Sequence, residues 1–264
     1  MKKLLILAVL VKAGAIYGQD RIFTYTYQSG VLNKGQREIE VWNTIATGKS
    51  DYYLRLDHRT EFETGLGKNV QTSFYLNITS ETNTVTNNSV KSLETGNTVS
   101  FSNEWKLKLT DAVADPLGIG LYGEYGIGGK EYEFEGKLIL DKRIQKFTVA
   151  SNFVYELEIE SQQQATGPEW EKEHKAEVDF GLAYSILPHF AITTEHTFRN
   201  VFSEGTLEHS ALYSGLGLSY SQENFWINFT VLPQVKSFKG QTGSSLNVTE
   251  FEKLQCRLLF SYAF

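Results

Sequence analysis

Polar and apolar residues alternate one by one along nearly the whole chain from residue 36 onwards. A period of two residues is typical of β-strands with two different faces, whereas the 3.6-residue period of an amphipathic helix is nearly absent. Because a slip of one residue would move every charge onto the apolar face, the register of these strands is strongly specified. Within 53–63, one face carries Leu54, Leu56, His58, Thr60 and Phe62, and the other carries Arg55, Asp57, Arg59, Glu61 and Glu63.

The alternation divides into about twelve segments, each near the ~9–11 residues that a tilted membrane-spanning strand needs. An even number of strands, with both chain ends on one side, is typical of single-chain outer-membrane barrels. We therefore predict an all-β fold, a transmembrane antiparallel up-and-down β-barrel of about 12 strands, with eight or ten strands as alternatives. The segments lie at about 36–46, 52–64, 69–80, 98–110, 117–127, 130–141, 146–160, 170–185, 190–200, 206–220, 224–235 and 249–264.

The connections between these segments differ in length according to their parity. The third, seventh and last are the longest, whereas even-numbered connections such as 65–68 and 141–143 are short. Outer-membrane barrels have short periplasmic turns and long external loops. With both termini in the periplasm, the three long connections are therefore predicted to be external loops, at 81–97, 161–169 and 236–248.

Alternation alone also fits a soluble lipocalin-like barrel, whose apolar face lies inside. The polar face here is rich in opposite charges, which suits a water-filled lumen, and aromatic residues gather near segment ends as in the girdles at membrane interfaces. We therefore predict that lipid surrounds the apolar face and that the protein is located in a bacterial outer membrane. The predicted girdle residues are Trp42, Tyr52, Tyr53, Trp170, Phe190, Tyr220 and Phe225.

The first residues have the pattern of a secretory signal peptide. Lys2 and Lys3 precede an apolar run at 4–11, and small residues follow it. This run is far shorter than a membrane-spanning helix. Cleavage is predicted after Gly18, with Ala15 as the alternative, which gives a signal peptide at 1–18 and one barrel domain at 19–264. Residues 19–34 form an extra strand, a plug or a periplasmic tail.

The chain ends with alternating aromatic residues and a final phenylalanine, in the sequence Phe260-Ser261-Tyr262-Ala263-Phe264. This ending resembles the terminal signature of bacterial outer-membrane barrels. The resemblance implies that the barrel-assembly machinery recognises Phe260, Tyr262 and Phe264. Segments 24–27, 34–42 and 56–59 also resemble uncharacterised outer-membrane barrels, mainly from Bacteroidota, a family that brings no activity or site residues with it.

Parity assigns many charged side chains to the inside of the barrel. They form either a lattice of cross-strand salt bridges, each worth up to ~1 kcal/mol, or a narrow acidic pathway, since charged rings set pore selectivity; the two can coexist. The excess of acids motivates the leading hypothesis, a channel or transporter for small cationic or neutral solutes. The predicted lumen-lining residues are Arg55, Asp57, Arg59, Glu61, Glu63, Glu104, Lys106, Glu124, Glu133, Glu135, Lys137, Glu156, Glu158, Lys175, Glu177, Asp179, Glu195 and Arg257.

Two other functions stay open. One is a structural or adhesive barrel that acts through its external loops. The other is an outer-membrane lipid hydrolase, which needs a serine and a histidine within hydrogen-bond reach. The only adjacent pair, His209-Ser210, points to opposite faces of a strand, while His58 and His196 fall on the lipid-facing side.

Few features indicate a cofactor, a metal or a nucleic acid. Cys256 is the only cysteine, which excludes a disulfide framework and Cys-based metal sites, and the net charge of −6 argues against a nucleic-acid partner. Gly118–Gly123 fits G-x-G-x-x-G, but the alternation continues after it where a dinucleotide site needs a helix. We predict no cofactor, no metal site and no catalytic residue, and the expected partners are outer-membrane lipid, the barrel-assembly machinery and small solutes.

Overall fold

The computed structural model describes residues 21–264, apart from 89, 165, 166 and 242. Within that part of the chain, no helix is long and apolar enough to cross a membrane. The signal peptide predicted at 1–18 lies outside the described residues and stays a prediction.

Twelve β-strands form a single closed sheet in the described part of the chain. Each strand pairs antiparallel with its neighbours in sequence, and β1 pairs with β12. The prediction of an antiparallel barrel of about 12 strands is confirmed. The strands are β1 Arg37–Thr47, β2 Tyr53–Gly67, β3 Val70–Asn87, β4 Val90–Thr110, β5 Gly118–Gly128, β6 Glu131–Ile144, β7 Phe147–Gln164, β8 Gly167–Leu187, β9 Phe190–Ser203, β10 Thr206–Ser221, β11 Phe225–Lys239 and β12 Leu254–Ala263.

The seam between the first and last strands closes the barrel. Its register runs from Glu38 opposite Ala263 to Thr47 opposite Leu254 without a shift. Closure leaves no strand edge with unpaired backbone groups, which a sheet within a bilayer requires because lipid offers no hydrogen-bond partners.

The two faces of the strands differ as the alternation predicts. The inner face holds buried acids such as Glu61, Glu104 and Glu195, each at most 1% exposed, whereas Phe180 and Leu258 on the outer face are 41% and 39% exposed. An apolar outer surface around a polar interior is the inverse of a soluble barrel and is the arrangement of outer-membrane barrels.

The barrel has two different ends. At the end called here the turn end, the start of β1 and the end of β12 lie beside short turns such as 145–146 and 188–189, and beside one longer connection at 111–117. Left-handed residues make the tight reversals there, for example Lys68, Asn69 and Gln145. The opposite end, called the hairpin end, carries the projecting strand pairs and the connection 240–253.

The prediction of long external loops at 81–97 and 161–169 is wrong. β3 and β4 stay paired out to Asn87 and Val90, and β7 and β8 out to Gln164 and Gly167, so both regions are two-stranded hairpins. In the first, β-branched residues at 82, 84, 85 and 86 favour extended backbone, which continues the ladder. The third predicted loop, 236–248, is displaced: β11 runs to Lys239, and the loop occupies 240–253.

The N-terminal segment lies inside the barrel. Residues 21–36, called here the plug, contain no strand and include side chains that are nearly inaccessible, such as Phe23 at 0% and Leu32 at 2%. Of the three possibilities for residues 19–34, the described part therefore adopts the plug.

Two predicted girdle residues face the lumen instead of lipid. Trp42 and Tyr53 are 7% and 5% exposed, whereas Tyr52 and Trp170 are exposed as a girdle requires. The parity of β1 places Trp42 on the same face as Glu40, and the plug packs against its ring. Proximity to a strand end was a poorer guide than strand parity.

Candidate functional site: a vestibule above an internal plug

One carboxylate on β9 holds the bend of the plug. Glu195 Oε1 accepts hydrogen bonds from the Thr24 amide (2.9 Å) and hydroxyl (3.0 Å), and Oε2 accepts from the amides of Tyr25 (2.7 Å) and Thr26 (2.9 Å). The Thr230 hydroxyl on β11 also donates to Oε1 at 2.8 Å. Hydrogen bonds to an ionised acceptor are stronger than neutral ones. Glu195 is therefore the main polar attachment of the plug to the barrel wall.

Other wall side chains pair with the plug backbone in the manner of strand partners. Asn152 accepts from the Tyr27 amide at 2.6 Å and donates to its carbonyl at 2.9 Å. Gln71 accepts from the Leu32 amide at 2.9 Å, and Asn228 donates to the Arg21 carbonyl at 3.0 Å. Buried backbone groups need such partners, and here side chains from separate strands supply them.

Small wall residues make room for the plug. A Cβ atom on Gly181 would lie 2.9 Å from the Phe23 ring, and one on Gly120 would lie 3.2 Å from Ser29 Cα. Side chains beside Phe23 are also small, with Ala150 and Ala183 in the same buried cluster. The glycines of the G-x-G-x-x-G stretch are thus part of strand β5, and Gly120 permits the plug to approach it closely.

Cationic side chains stack on the aromatic rings of the plug. The Arg21 guanidinium lies 4.1 Å from the Tyr27 ring centroid and 4.2 Å from that of Trp42, and Arg257 lies 4.0 Å from that of Tyr25. Such cation–π contacts are worth about 0.5–2 kcal/mol, more when desolvated. The two guanidinium groups therefore lie against aromatic rings of the plug and of the barrel wall, where the plug crosses the lumen.

A cavity of about 1130 Å³ occupies the lumen on the hairpin side of the plug. This vestibule has the plug residues Tyr25 and Tyr27 in its lining, and its walls reach the hairpin-end residues of β4 to β8. Among the described residues, 14 acidic and 8 basic side chains line it. Acidic side chains therefore outnumber basic ones in its lining.

The acids concentrate on one wall, formed by β6, β7 and β8. Six glutamates of β6 and β7 face one another directly in the ladder, and like charges in that position repel. Lys175 on β8 offsets part of this repulsion through Glu156 (3.0 Å), Glu173 (3.6 Å) and a short contact with Glu158. The opposed pairs are Glu131 with Glu160, Glu133 with Glu158, and Glu135 with Glu156.

The wall opposite carries arginines. Arg55 and Arg59 lie on β2 and Arg257 on β12, and these strands flank β1, which is six strands from β7 in either direction around the ring. Arg59 contacts Glu124 at 3.7 Å, whereas Arg257 donates to the Thr44 hydroxyl at 2.9 Å. An acidic wall across from a basic wall creates an electric field across the vestibule.

The predicted lumen residues divide into two groups. All lie on the inner face, but Glu61, Glu63, Glu104, Lys106 and Glu195 are packed in the turn half, beyond the plug, and do not line the vestibule. The others line it: Arg55, Asp57, Arg59, Glu124, Glu133, Glu135, Lys137, Glu156, Glu158, Lys175, Glu177, Asp179 and Arg257. Cross-strand ion pairs such as Lys175 with Glu156 and Arg199 with Glu177 lie in the vestibule half.

Arg21, Tyr25, Tyr27 and Glu252 are among the residues of this site that were not identified from the sequence. Glu252, in the connection 240–253, lies 3.8 Å from Arg199 and brings that loop to the vestibule. The tyrosines at positions 25 and 27 alternate with threonines, a pattern that points to extended backbone but not to its location inside the lumen.

The histidines contact amide or hydroxyl groups and a glutamate. His58 is bonded to Asn43 and Thr60, and His196 to Thr194. His209 lies 3.1 Å from the Asn247 amide and 3.9 Å from Glu250, while Ser210 donates to Asn200. These contacts do not form the serine–histidine pair that a hydrolase needs.

Comparison of the sequence with protein families gives one match, the family described as "Family of unknown function (DUF6662)", over residues 16–264. The chain belongs to this family. No curated protein matches the sequence.

Solved structures similar to this DUF6662 member are outer-membrane barrels. The COG4313 outer membrane channel from Pseudomonas putida F1 is similar with a TM-score of 0.60 at 11% identity, over 89% of this chain and 98% of that one. The NanC porin has a TM-score of 0.51 at 12% identity, over 85% and 98%. The translocator domain of the autotransporter NalP from Neisseria meningitidis has a TM-score of 0.55 at 13% identity, over 89% and 91%. The fold is thus that of bacterial outer-membrane β-barrels.

Proposed function

We propose that this protein is an outer-membrane channel for small cationic or neutral solutes, closed across its middle by its own N-terminal plug. The observation that carries the proposal is the excess of 14 acidic over 8 basic side chains in the vestibule, among the described residues. Charged walls concentrate counter-ions and exclude ions of like charge. A negative vestibule therefore raises the local concentration of cations.

The orientation of the barrel in the membrane is inferred from its two ends. Short turns and both termini are typical of the periplasmic side, so the turn end is assigned to the periplasm and the vestibule opens to the outside. A solute that enters meets the acidic wall first and then the plug at Tyr25 and Tyr27. Passage requires the plug to shift.

The plug is attached in a way that permits such a shift. It has no strand in residues 21–36 and is held through side chains such as Glu195 and Asn152. Its release would leave the strand ladder of the barrel intact. The barrel wall can therefore stay folded while the plug moves.

Ion selectivity tests the proposal directly. The purified protein is inserted into planar bilayers under a salt gradient, and the reversal potential is measured. We expect cation preference, reduced in the double variant Glu133→Gln with Glu135→Gln, because both side chains line the acidic wall. Glu223→Gln, an exposed acid at the turn end, serves as the matched control. Absence of ion conduction, or an anion preference that persists in the double variant, would contradict the proposal.

A second candidate, an adhesive or structural barrel, is favoured by the two projecting hairpins. Residues 90–99 of the β3–β4 hairpin are all exposed, and this pairing extends well beyond the strands of the shorter neighbours. Replacing 82–97 with a short turn tests it. If adhesion is the function, surface attachment is lost while conduction persists; if the protein is only a channel, attachment does not depend on the hairpin.

Insertion into the outer membrane is proposed to depend on the C-terminal strand. Phe260, Tyr262 and Phe264 all point outward, at 40%, 48% and 60% exposure, where the barrel-assembly machinery and lipid can reach them. The resemblance to Bacteroidota barrels remains a prediction from the sequence.

A further inference from the structure

The connection between β11 and β12 folds into the mouth of the barrel. Its second part, residues 245–253 and called here the inner arm, includes Asn247, Phe251 and Glu252 at 0%, 8% and 5% exposure. Connections at the surface of a protein are usually solvated and mobile, so burial of this one requires partners for its backbone groups. Those partners lie on the barrel wall.

One side chain of β11 holds both ends of the inner arm. Gln234 Oε1 accepts a hydrogen bond from the Asn247 amide at 2.7 Å, and its Nε2 donates to the carbonyls of Asn247 at 3.0 Å and Glu252 at 3.1 Å. The Tyr213 hydroxyl on β10 also donates to the Glu252 carbonyl, at 2.8 Å. Gln234 therefore attaches the arm to the wall, and among the described residues it forms no hydrogen bond with the plug.

Backbone hydrogen bonds attach the inner arm on two further sides. The Ser50 amide donates to the Val248 carbonyl at 2.7 Å, which joins the arm to the connection between β1 and β2. On the other side, the Ser237 amide of β11 donates to the Ser245 carbonyl at 2.8 Å. Because β1 and β11 are the two neighbours of β12 in the ring, the arm bridges the strands on either side of β12.

An apolar cluster connects the inner arm to the plug. Phe251 of the arm and Tyr25 of the plug belong to the same buried cluster. The Phe251 ring packs edge-on against Tyr213, with the ring centroids 6.4 Å apart. Both Phe251 and Tyr25 also line the vestibule, so this cluster forms part of its floor. The other members of the cluster lie on the barrel wall and are Val201, Ala211, Tyr213 and Leu232.

Two arginines of the wall contact the arm and the plug from the vestibule. Arg199 on β9 lies 3.8 Å from Glu252 of the arm. Arg257 on β12 lies over the Tyr25 ring, 4.0 Å from its centroid, and donates to the Thr24 carbonyl at 3.4 Å. Both arginines line the vestibule. The arm and the bend of the plug are therefore held at the same cavity by charged as well as apolar groups.

We propose that the inner arm is a latch for the plug, so that the plug is released only after the arm has moved. The arm reaches the vestibule from the hairpin end and the plug reaches it from the turn end, and the cluster of Phe251 and Tyr25 is where the two segments are joined. Displacement of the arm removes one side of that cluster. The role of the latch in transport rests on the proposed function, but the coupling of arm and plug can be measured without conduction.

Deuterium exchange of the full chain in detergent tests the latch. Gln234→Ala removes the side-chain hydrogen bonds that hold the arm and none of those of the described plug residues. We expect amides at 247–253 to exchange at least fivefold faster in this variant, and amides at 24–27 to show a similar increase. Phe251→Ala should also accelerate exchange at 24–27, because it removes the arm's side chain from the shared cluster.

Two comparisons distinguish release of the plug from a general loosening of the barrel. Thr82→Ala removes a 2.9 Å hydrogen bond to Thr95 on the β3–β4 hairpin and should leave exchange at 24–27 unchanged. Amides at 137–139, within β6, should keep wild-type exchange in every variant.

Unchanged exchange at 24–27 in either Gln234→Ala or Phe251→Ala would overturn the proposal, since the plug would then be held independently of the arm. An equal rise at 137–139 would also overturn it, because the variants would then loosen the whole barrel. Planar-bilayer recordings separate the latch from the channel. Coupled exchange without ion conduction would support the latch and contradict the proposed function, whereas ion conduction with uncoupled exchange would do the reverse.

Discussion

One carboxylate oxygen of Glu195 accepts hydrogen bonds from both the backbone amide of Thr24 (2.9 Å) and the hydroxyl of Thr24 (3.0 Å). The two residues are 171 positions apart in the chain. Through this contact, a strand in the last third of the sequence fixes a segment that precedes the first strand.

Replacing Glu195 should loosen the plug. In Glu195→Ala the amides of Thr24, Tyr25 and Thr26 lose their acceptor, and a buried unsatisfied group costs about 1–3 kcal/mol. We expect the open probability of single channels to rise at least tenfold, and deuterium exchange in the plug to accelerate. Glu223→Gln is the control. Unchanged exchange in Glu195→Ala would show that this carboxylate does not hold the plug.

Gly181 and Phe23 should be energetically coupled, because they pack directly against each other. A Cβ on Gly181 would come 2.9 Å from the Phe23 ring, and overpacking typically costs about 1–3 kcal/mol. Gly181→Ala should therefore increase exchange in the plug, whereas Gly123→Ala, where a Cβ meets nothing within 4 Å, should not. Adding Phe23→Leu to Gly181→Ala should restore protection, as expected for coupled positions. Additive effects of the two changes would contradict direct packing.

A pH-dependent contribution to stability is expected from the connection 111–117. The carboxylate of Asp111 accepts hydrogen bonds from the backbone amides of Ala114 (3.1 Å) and Val113 (2.9 Å), and Lys108 lies beside it. These three interactions lower the pKa of Asp111 to about 2. Because the folded pKa lies below the unfolded value of about 4, this stabilisation is complete above pH ~4 and is lost as the pH falls towards ~2.

Denaturation of Asp111→Ala measures this contribution. Its urea midpoint should lie below that of the native barrel at neutral pH, and the difference should vanish between pH ~4 and ~2. Asp51→Ala, which removes an exposed partner of Lys91 at the hairpin end, is the control. A difference that persists at pH 2 would mean that the carboxylate charge is not its source.

Loss of the C-terminal aromatic residue should impair assembly. Phe264 is 60% exposed, and its amide donates to the Arg37 carbonyl at 3.1 Å. Deleting it should lower the amount of heat-modifiable barrel in the outer-membrane fraction several-fold without altering the stability of barrel refolded in detergent. Phe238→Ala, another exposed phenylalanine, is the control. Equal accumulation of the deletion variant would contradict recognition of the final residue.

The strands could be predicted because polar and apolar residues alternate within the sequence of each one. The alternation of Arg55, Asp57 and Arg59 with Leu54, Leu56 and His58 reflects the different environments of the two faces, so it reveals both the strand and its orientation. The extent of the hairpins could not be predicted in this way. Beyond the membrane both faces of β3 and β4 meet water, and the alternation that marks a strand fades.

The plug could not be predicted because its partners are distant in sequence. Thr24 and Tyr27 bind Glu195 and Asn152, more than 100 positions away, and nothing in residues 21–36 indicates those contacts. Gly181 leaves space for the Phe23 ring, but no feature of the sequence distinguishes it from other glycines in strands. The prediction of Trp42 in a lipid girdle was wrong for a different reason, because the alternation of β1 already places Trp42 on the inner face with Glu40.

Single-channel recording of a variant that lacks the plug tests the central claim most directly. A chain without residues 21–33 is inserted into planar bilayers beside the full chain, after heat-modifiable mobility confirms that both are folded. We expect rare, small openings for the full chain, and a continuously open, cation-preferring pore of several-fold higher conductance for the variant. Equal conductance of the two, or a variant that stays closed, would contradict it.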